Sequence, residues 1–165
     1  MTSQGAEKTG ALQRAGKPWY AAGIHFQCQA CGRCCRGEPG VVWVTRQEQE
    51  RLAESLGTSL REFARKFVRR IGLRVSLREH GNGDCVLFDR GCMAYAVRPM
   101  QCRTFPFWHV LLRSPLGFYE ATRNCQGVGE GRLYSREEIE RISEGRFETG
   151  ESARGAQAST RSSNP

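Results

Sequence analysis

The chain has 165 residues, a formal net charge of +8 and eight cysteines. This length predicts one domain, no uninterrupted apolar run approaches a membrane span, and the polar start MTSQGAEKTGALQRAGKPWY lacks the apolar stretch of a secretory signal. Cysteine is too sparse for a small secreted disulfide scaffold. A reducing, cytoplasmic setting is therefore expected, and the thiols read as metal ligands rather than disulfides.

The charge fits that reading. Eight bound thiolates with two zinc ions, or with two four-iron clusters, would lower the net charge to about +4. Arg33, Arg36, Arg90 and Arg103 each lie within two residues of a cysteine and Arg98 within four, where a cation favours thiolate over thiol.

In chain order, residues 1–20 are expected to be disordered, although Trp19, Tyr20, Ile24 and Phe26 mark where packing begins. CQACGRCC follows, with Cys28, Cys31, Cys34 and Cys35 in eight residues. A C-x2-C spacing lets a tight turn aim two sulfurs at one metal. The run is close to a bacterial ferredoxin pattern but departs from it at Cys35, which comes at once and has no proline after it. On an extended backbone, Cys34 and Cys35 would point to opposite sides. That favours two adjacent sites, with one site plus spare thiols as the other possibility.

Val41–Val44 reads as a short buried strand. Thr45-x-x-Glu48 is a capping box opening a helix that Gly57 ends. Ser59-x-x-Glu62 opens a second helix with Leu60, Phe63, Ala64, Phe67, Val68 and Ile71 on one stripe, stopped by Gly72. Leu73, Val75 and Leu77 alternate with polar residues as a half-buried strand. The turn at Gly81–Asp84 predicts a hairpin whose return strand is Cys85–Phe88. Cys85 and Cys92 bracket a loop. Pro106 stops any helix begun near Cys102. Gly117–Thr122 reads as a strand, and the GVGEG run after Cys125 as a turn. Ser135-x-x-Glu138 opens a last helix. The Gly-, Ala-, Ser- and Arg-rich residues 146–165 are expected to be disordered.

The joint order CxxCGxCC, C…GC-x-x-Y, RPxxCRTFPFW and C-x-G-x-G-x-G-R resembles the YkgJ-like cysteine-cluster family, a zinc- or iron-chelating CxxCxxCC domain. The resemblance covers about residues 24–145. It implies a metal or iron–sulfur centre with Cys28, Cys31, Cys34, Cys35, Cys85, Cys92, Cys102 and Cys125 as ligands. Val86 and Gln126 stand where that pattern has proline, which affects local turns more than ligation. Some larger relatives are similar to flagellin lysine methylases, but no methyl-donor site is legible here.

The expected architecture is a small α+β domain over residues 21–145. Two or three helices, a β-hairpin and long cysteine-bearing loops surround one or two thiolate centres. Zinc is favoured, with an iron–sulfur cluster as the alternative, and a protein partner is then the expected user of the surface. An iron–sulfur oxidoreductase or redox partner is the second reading. A basic nucleic-acid-binding module resting on Arg65, Lys66, Arg69 and Arg70 is a weaker third. No catalytic constellation stands outside the cysteines. His25, His80 and His109 are scattered and are not needed as ligands.

Overall fold

The computed structural model describes residues 16–37 and 40–146. The disorder expected for residues 1–20 and 146–165 falls almost wholly outside the described residues. Trp19 is described, and it is packed: its ring lies 5.1 Å from that of Phe118, and its indole N–H donates to Leu112 O at 2.9 Å.

Five α-helices and two small antiparallel sheets make an α+β domain. The three capping boxes set three of the helices. Thr45 opens α1 (Arg46–Ser55), Ser59 opens α2 (Leu60–Phe67) and Ser135 opens α5 (Arg136–Ser143), each with reciprocal bonds between the cap and the residue three further on. Such a box satisfies backbone N–H groups that the first turn leaves without partners.

The second helix is shorter than its apolar stripe predicts. It ends at Phe67, and Val68–Ile71 turns out as strand β2, paired antiparallel with β3 (Arg74–Leu77). The two-residue turn Gly72-Leu73 closes this hairpin, with Gly72 at φ 57. Leu73, expected in a half-buried strand, is 99% exposed at the tip. Val68 and Ile71 suit a strand as well as a helix, and ladder bonds to β3 decide between them. The hairpin expected around Gly81–Asp84 reduces to isolated bridges Glu79↔Cys85 and Phe88↔Cys92. Val41–Val44 is likewise not a strand. It runs beside β3 through a single bridge, Trp43↔Ser76, made by the bonds from Val44 N–H to Val75 O and from Leu77 N–H to Val42 O.

Two more elements differ from expectation. Gly117–Thr122 lies in a helix, α4 (Pro115–Thr122). Ser114 caps it by accepting from Gly117 N–H at 3.1 Å, and Pro115 takes the first turn, where its missing N–H costs nothing. The GVGEG run is not a simple turn either. It enters strand β4 (Val128–Tyr134), which pairs with β1 (Ile24–Phe26) through a bulge at His25/Phe26. A Cβ on Gly127 would fall 2.2 Å from Gln27 O, so only glycine allows this approach. The remaining helix, α3 (Met100–Thr104), carries Cys102.

Apolar side chains form two clusters. Leu52, Phe63, Leu77 and Leu87 centre the first, and Phe107, Phe118 and Ile139 the second. Cys85 and Cys92 pack against the first cluster, while Cys28 and Cys125 pack against the second. The thiols thus edge both halves of the core.

Candidate metal centre

All eight cysteines are free thiols. Cys28 follows β1 and is held near Cys125 by the bond from Gln27 N–H to Gly127 O at 2.9 Å. Cys85 is tied to the first motif by its N–H, which donates to Cys35 O at 2.8 Å. Cys34 and Cys35 sit in a 3₁₀ turn, Arg33–Cys35. Gly32 opens this turn at φ 69, and a Cβ there would fall 2.2 Å from a Phe88 ring carbon.

That turn corrects the expectation that Cys34 and Cys35 point apart. The two thiols lie close enough to shift each other's proton affinity. Opposite directions hold for an extended chain, whereas a 3₁₀ turn rotates successive side chains by about a third of a turn. Cys34 is also an electrostatic neighbour of Cys85, Cys92, Cys102 and Cys125. Cys31 neighbours Cys125, and Cys28 neighbours Cys92. Each of the eight thiols is thus electrostatically linked to at least one other.

The proton affinities show how crowded that set is. The hydrogen bond from Cys35 pulls the Cys34 thiol down to about 7. That same bond, then burial and the neighbouring thiols, push Cys35 up. Burial, then Cys34, Cys85 and Cys92, push Cys102 up to about 12. Burial also raises Cys85, Cys92 and Cys125. Backbone N–H groups oppose the last three: Leu87 on Cys85, Ala94 on Cys92, and Gly127 and Val128 on Cys125. Donors aimed at sulfur favour thiolate.

Among the described residues, no group of three or more His, Cys, Asp or Glu converges closely enough, as placed, to hold a metal ion. The donor chemistry nevertheless fits a thiophilic metal. Thiols are soft donors, backbone N–H groups act on Cys85, Cys92 and Cys125, and a bound cation would offset the burial and repulsion that oppose their ionisation.

Arg98 meets a sulfur. Its Nη1 lies 3.8 Å from Cys28 Sγ. Its Nε donates to Tyr95 O at 2.9 Å, and its guanidinium stacks 3.7 Å over the Tyr95 ring. Arg103 has other neighbours, namely Arg51, Arg98 and Glu48. Arg36 faces Asp84 and Arg90 faces Asp89.

Two participants went unassigned in the sequence. Burial, then the hydrogen bond to Cys28, push the Tyr95 phenol up to about 12. Tyr95 stands in the C-x-x-Y step, which was the available signal. Glu48 does more than cap α1. Its carboxylate accepts from Thr45 N–H and from Met100 N–H, both at 2.7 Å, and so joins α1 to the helix bearing Cys102. Burial opposes its charge, but the Met100 and Thr45 bonds prevail and hold it below the usual carboxylate range. Nothing local to TRQE signals the second bond.

The histidines stand apart from this set. His25 Nδ1 bonds Gly131 O at 2.9 Å, and His80 and His109 are exposed.

The fold and the thiol set define a small cysteine-cluster domain of the metal-chelating kind. The chain belongs to the CxxCxxCC family, described as "putative zinc- or iron-chelating domain", whose model matches residues 27–127. All eight cysteines fall inside that match. No solved structure matches the chain.

Proposed function

We propose that this is a metal-binding protein in which Cys28, Cys31, Cys34, Cys35, Cys85, Cys92, Cys102 and Cys125 hold one or two thiolate-ligated centres, zinc first. One observation carries the reading: all eight thiols are free, and four of them, Cys28, Cys85, Cys92 and Cys125, pack at the edges of the two core clusters. Four-thiolate zinc would be redox-silent and would help to hold the two halves together. The free thiols support a reducing, cytoplasmic setting. The exposed surface would then serve a protein partner.

An iron–sulfur oxidoreductase or redox partner is the second reading. It is supported by a ligand number that is generous for stabilising so small a domain. Nucleic-acid binding is not favoured. Phe63 is wholly buried and Phe67 packs with it at 5.2 Å, so neither ring is placed to stack on a base. Among the described residues, no helix is long and apolar enough to cross a membrane.

Elemental analysis with a visible spectrum, on protein purified without air, tests the reading. Stoichiometric zinc without colour is the expected result. Iron with sulfide and a brown absorbance would move redox chemistry to the front. A metal-free protein with fully reduced thiols would overturn both.

A further inference from the structure

Cys34, Cys35 and Cys85 are not sealed inside the molecule. They line a cavity of about 190 Å³ that opens to solvent. Leu77 and Trp108 contribute apolar wall. An opening that bares three candidate ligands is a way in for what the site binds.

The charge of the mouth restricts what can use it. Arg36 and Arg78 line the cavity together with one carboxylate, Glu79. Glu79 is already committed to Arg69, at 2.9 Å, and to the N–H of Gly40. Arg36 reaches Asp84 only at 3.9 Å. Arg78 makes no ion pair among the described residues. Gln101 is already engaged, its Oε1 accepting from Trp43 N–H and its Nε2 donating to Val41 O. Among the described residues, Arg36 and Arg78 bring two guanidiniums to the lining beside the three thiols. An anion is drawn to such guanidiniums. Guanidinium also pairs with carboxylate in a two-pronged geometry. A cavity of about 150 Å³ holds benzene, so this one admits a carrier arm of roughly six to ten heavy atoms.

We propose that the cavity receives the metal as a small anionic carboxylate chelate. Arg36 and Arg78 take the carboxylates while the metal passes to Cys34, Cys35 and Cys85. This rests on the metal-binding reading above. In the exchange, each metal–oxygen bond that breaks is replaced by a metal–sulfur bond. The thiol proton leaves to the freed carboxylate or to water, and no electrons change hands.

The test uses the reduced, metal-free full chain and zinc citrate, followed by the ultraviolet thiolate-to-metal band. Free zinc is held constant while the citrate complex is raised. The loading rate should climb with zinc citrate, and added salt should flatten that climb. Arg36→Gln/Arg78→Gln should lower the slope about tenfold at unchanged final zinc content. Val41→Trp, which fills the mouth, should lower it as well. Should the double variant not retain zinc, Arg78→Gln alone, at an exposed residue, repeats the test. A slope of zero, or one indifferent to these changes while zinc still binds, overturns the proposal. Failure of the wild-type chain to bind zinc at equilibrium instead overturns the metal-binding reading and this proposal with it.

Discussion

Arg98 and Cys28, 70 residues apart in sequence, meet at 3.8 Å between guanidinium and sulfur. The guanidinium is locked in place by stacking on Tyr95 and by its bond to Tyr95 O. A fixed cation beside a thiolate lowers the cost of gathering negative sulfurs, and groups in this position tune metal sites as strongly as some ligands do.

Arg98→Gln is therefore expected to weaken metal retention by about tenfold or more. Arg98→Lys should recover part of the loss, because it keeps the charge without the planar stack. Arg103→Gln should leave metal affinity nearly unchanged. Competition against a chelator of known affinity reads all three. Equal losses in Arg98→Gln and Arg103→Gln would remove the special place of Arg98.

Cys34→Ser and Cys35→Ser are each expected to lose metal, since the two sulfurs lie side by side in one set. Metal content per chain is the measurement. Full content and unchanged stability in Cys35→Ser would place that thiol outside the centre.

Glu48→Gln should destabilise the metal-free protein by about 1.5–3 kcal/mol at neutral pH, the range for a charge-assisted bond lost in a buried place. The sign of the pH effect follows from the lowered folded-state value of Glu48. Its stabilisation is complete above the unfolded carboxyl pKa, near 4.3, and disappears as pH falls through the lower folded value. Urea melts of both proteins should differ at pH 7 and converge in acid. A gap that persists unchanged at low pH would mean that the carboxylate charge is not what joins α1 to α3.

Leu73→Asp should change stability by no more than about 0.5 kcal/mol, as for an ordinary surface substitution. Leu73 sits at the hairpin tip, fully in solvent. Thermal melts of the two proteins should nearly superimpose. A loss of several degrees would restore the half-buried strand at Leu73 that its alternation with polar residues suggested.

Much of the helical framework was legible because capping is local. Thr45 and Glu48, Ser59 and Glu62, and Ser135 and Glu138 complete their bonds within a single turn. The strands were less so. Val68 and Ile71 fit a helical stripe and a ladder equally well, and the choice came from pairing with Leu77 and Arg74. Gly117–Thr122, read as a strand, instead follows a Ser-Pro helix start.

The eight cysteines, their order and the family of the chain were legible in the sequence alone, because cysteine order does not depend on how the chain is arranged in space. The tertiary structure decided that Cys34 and Cys35 sit together in a 3₁₀ turn, that Arg98 meets the sulfur of Cys28, and that three thiols line a cavity together with Arg36 and Arg78. The reason is physical. Each of these depends on the direction of a side chain or on the approach of segments far apart in the chain, and those are set by backbone turns and packing that short-range spacing does not encode.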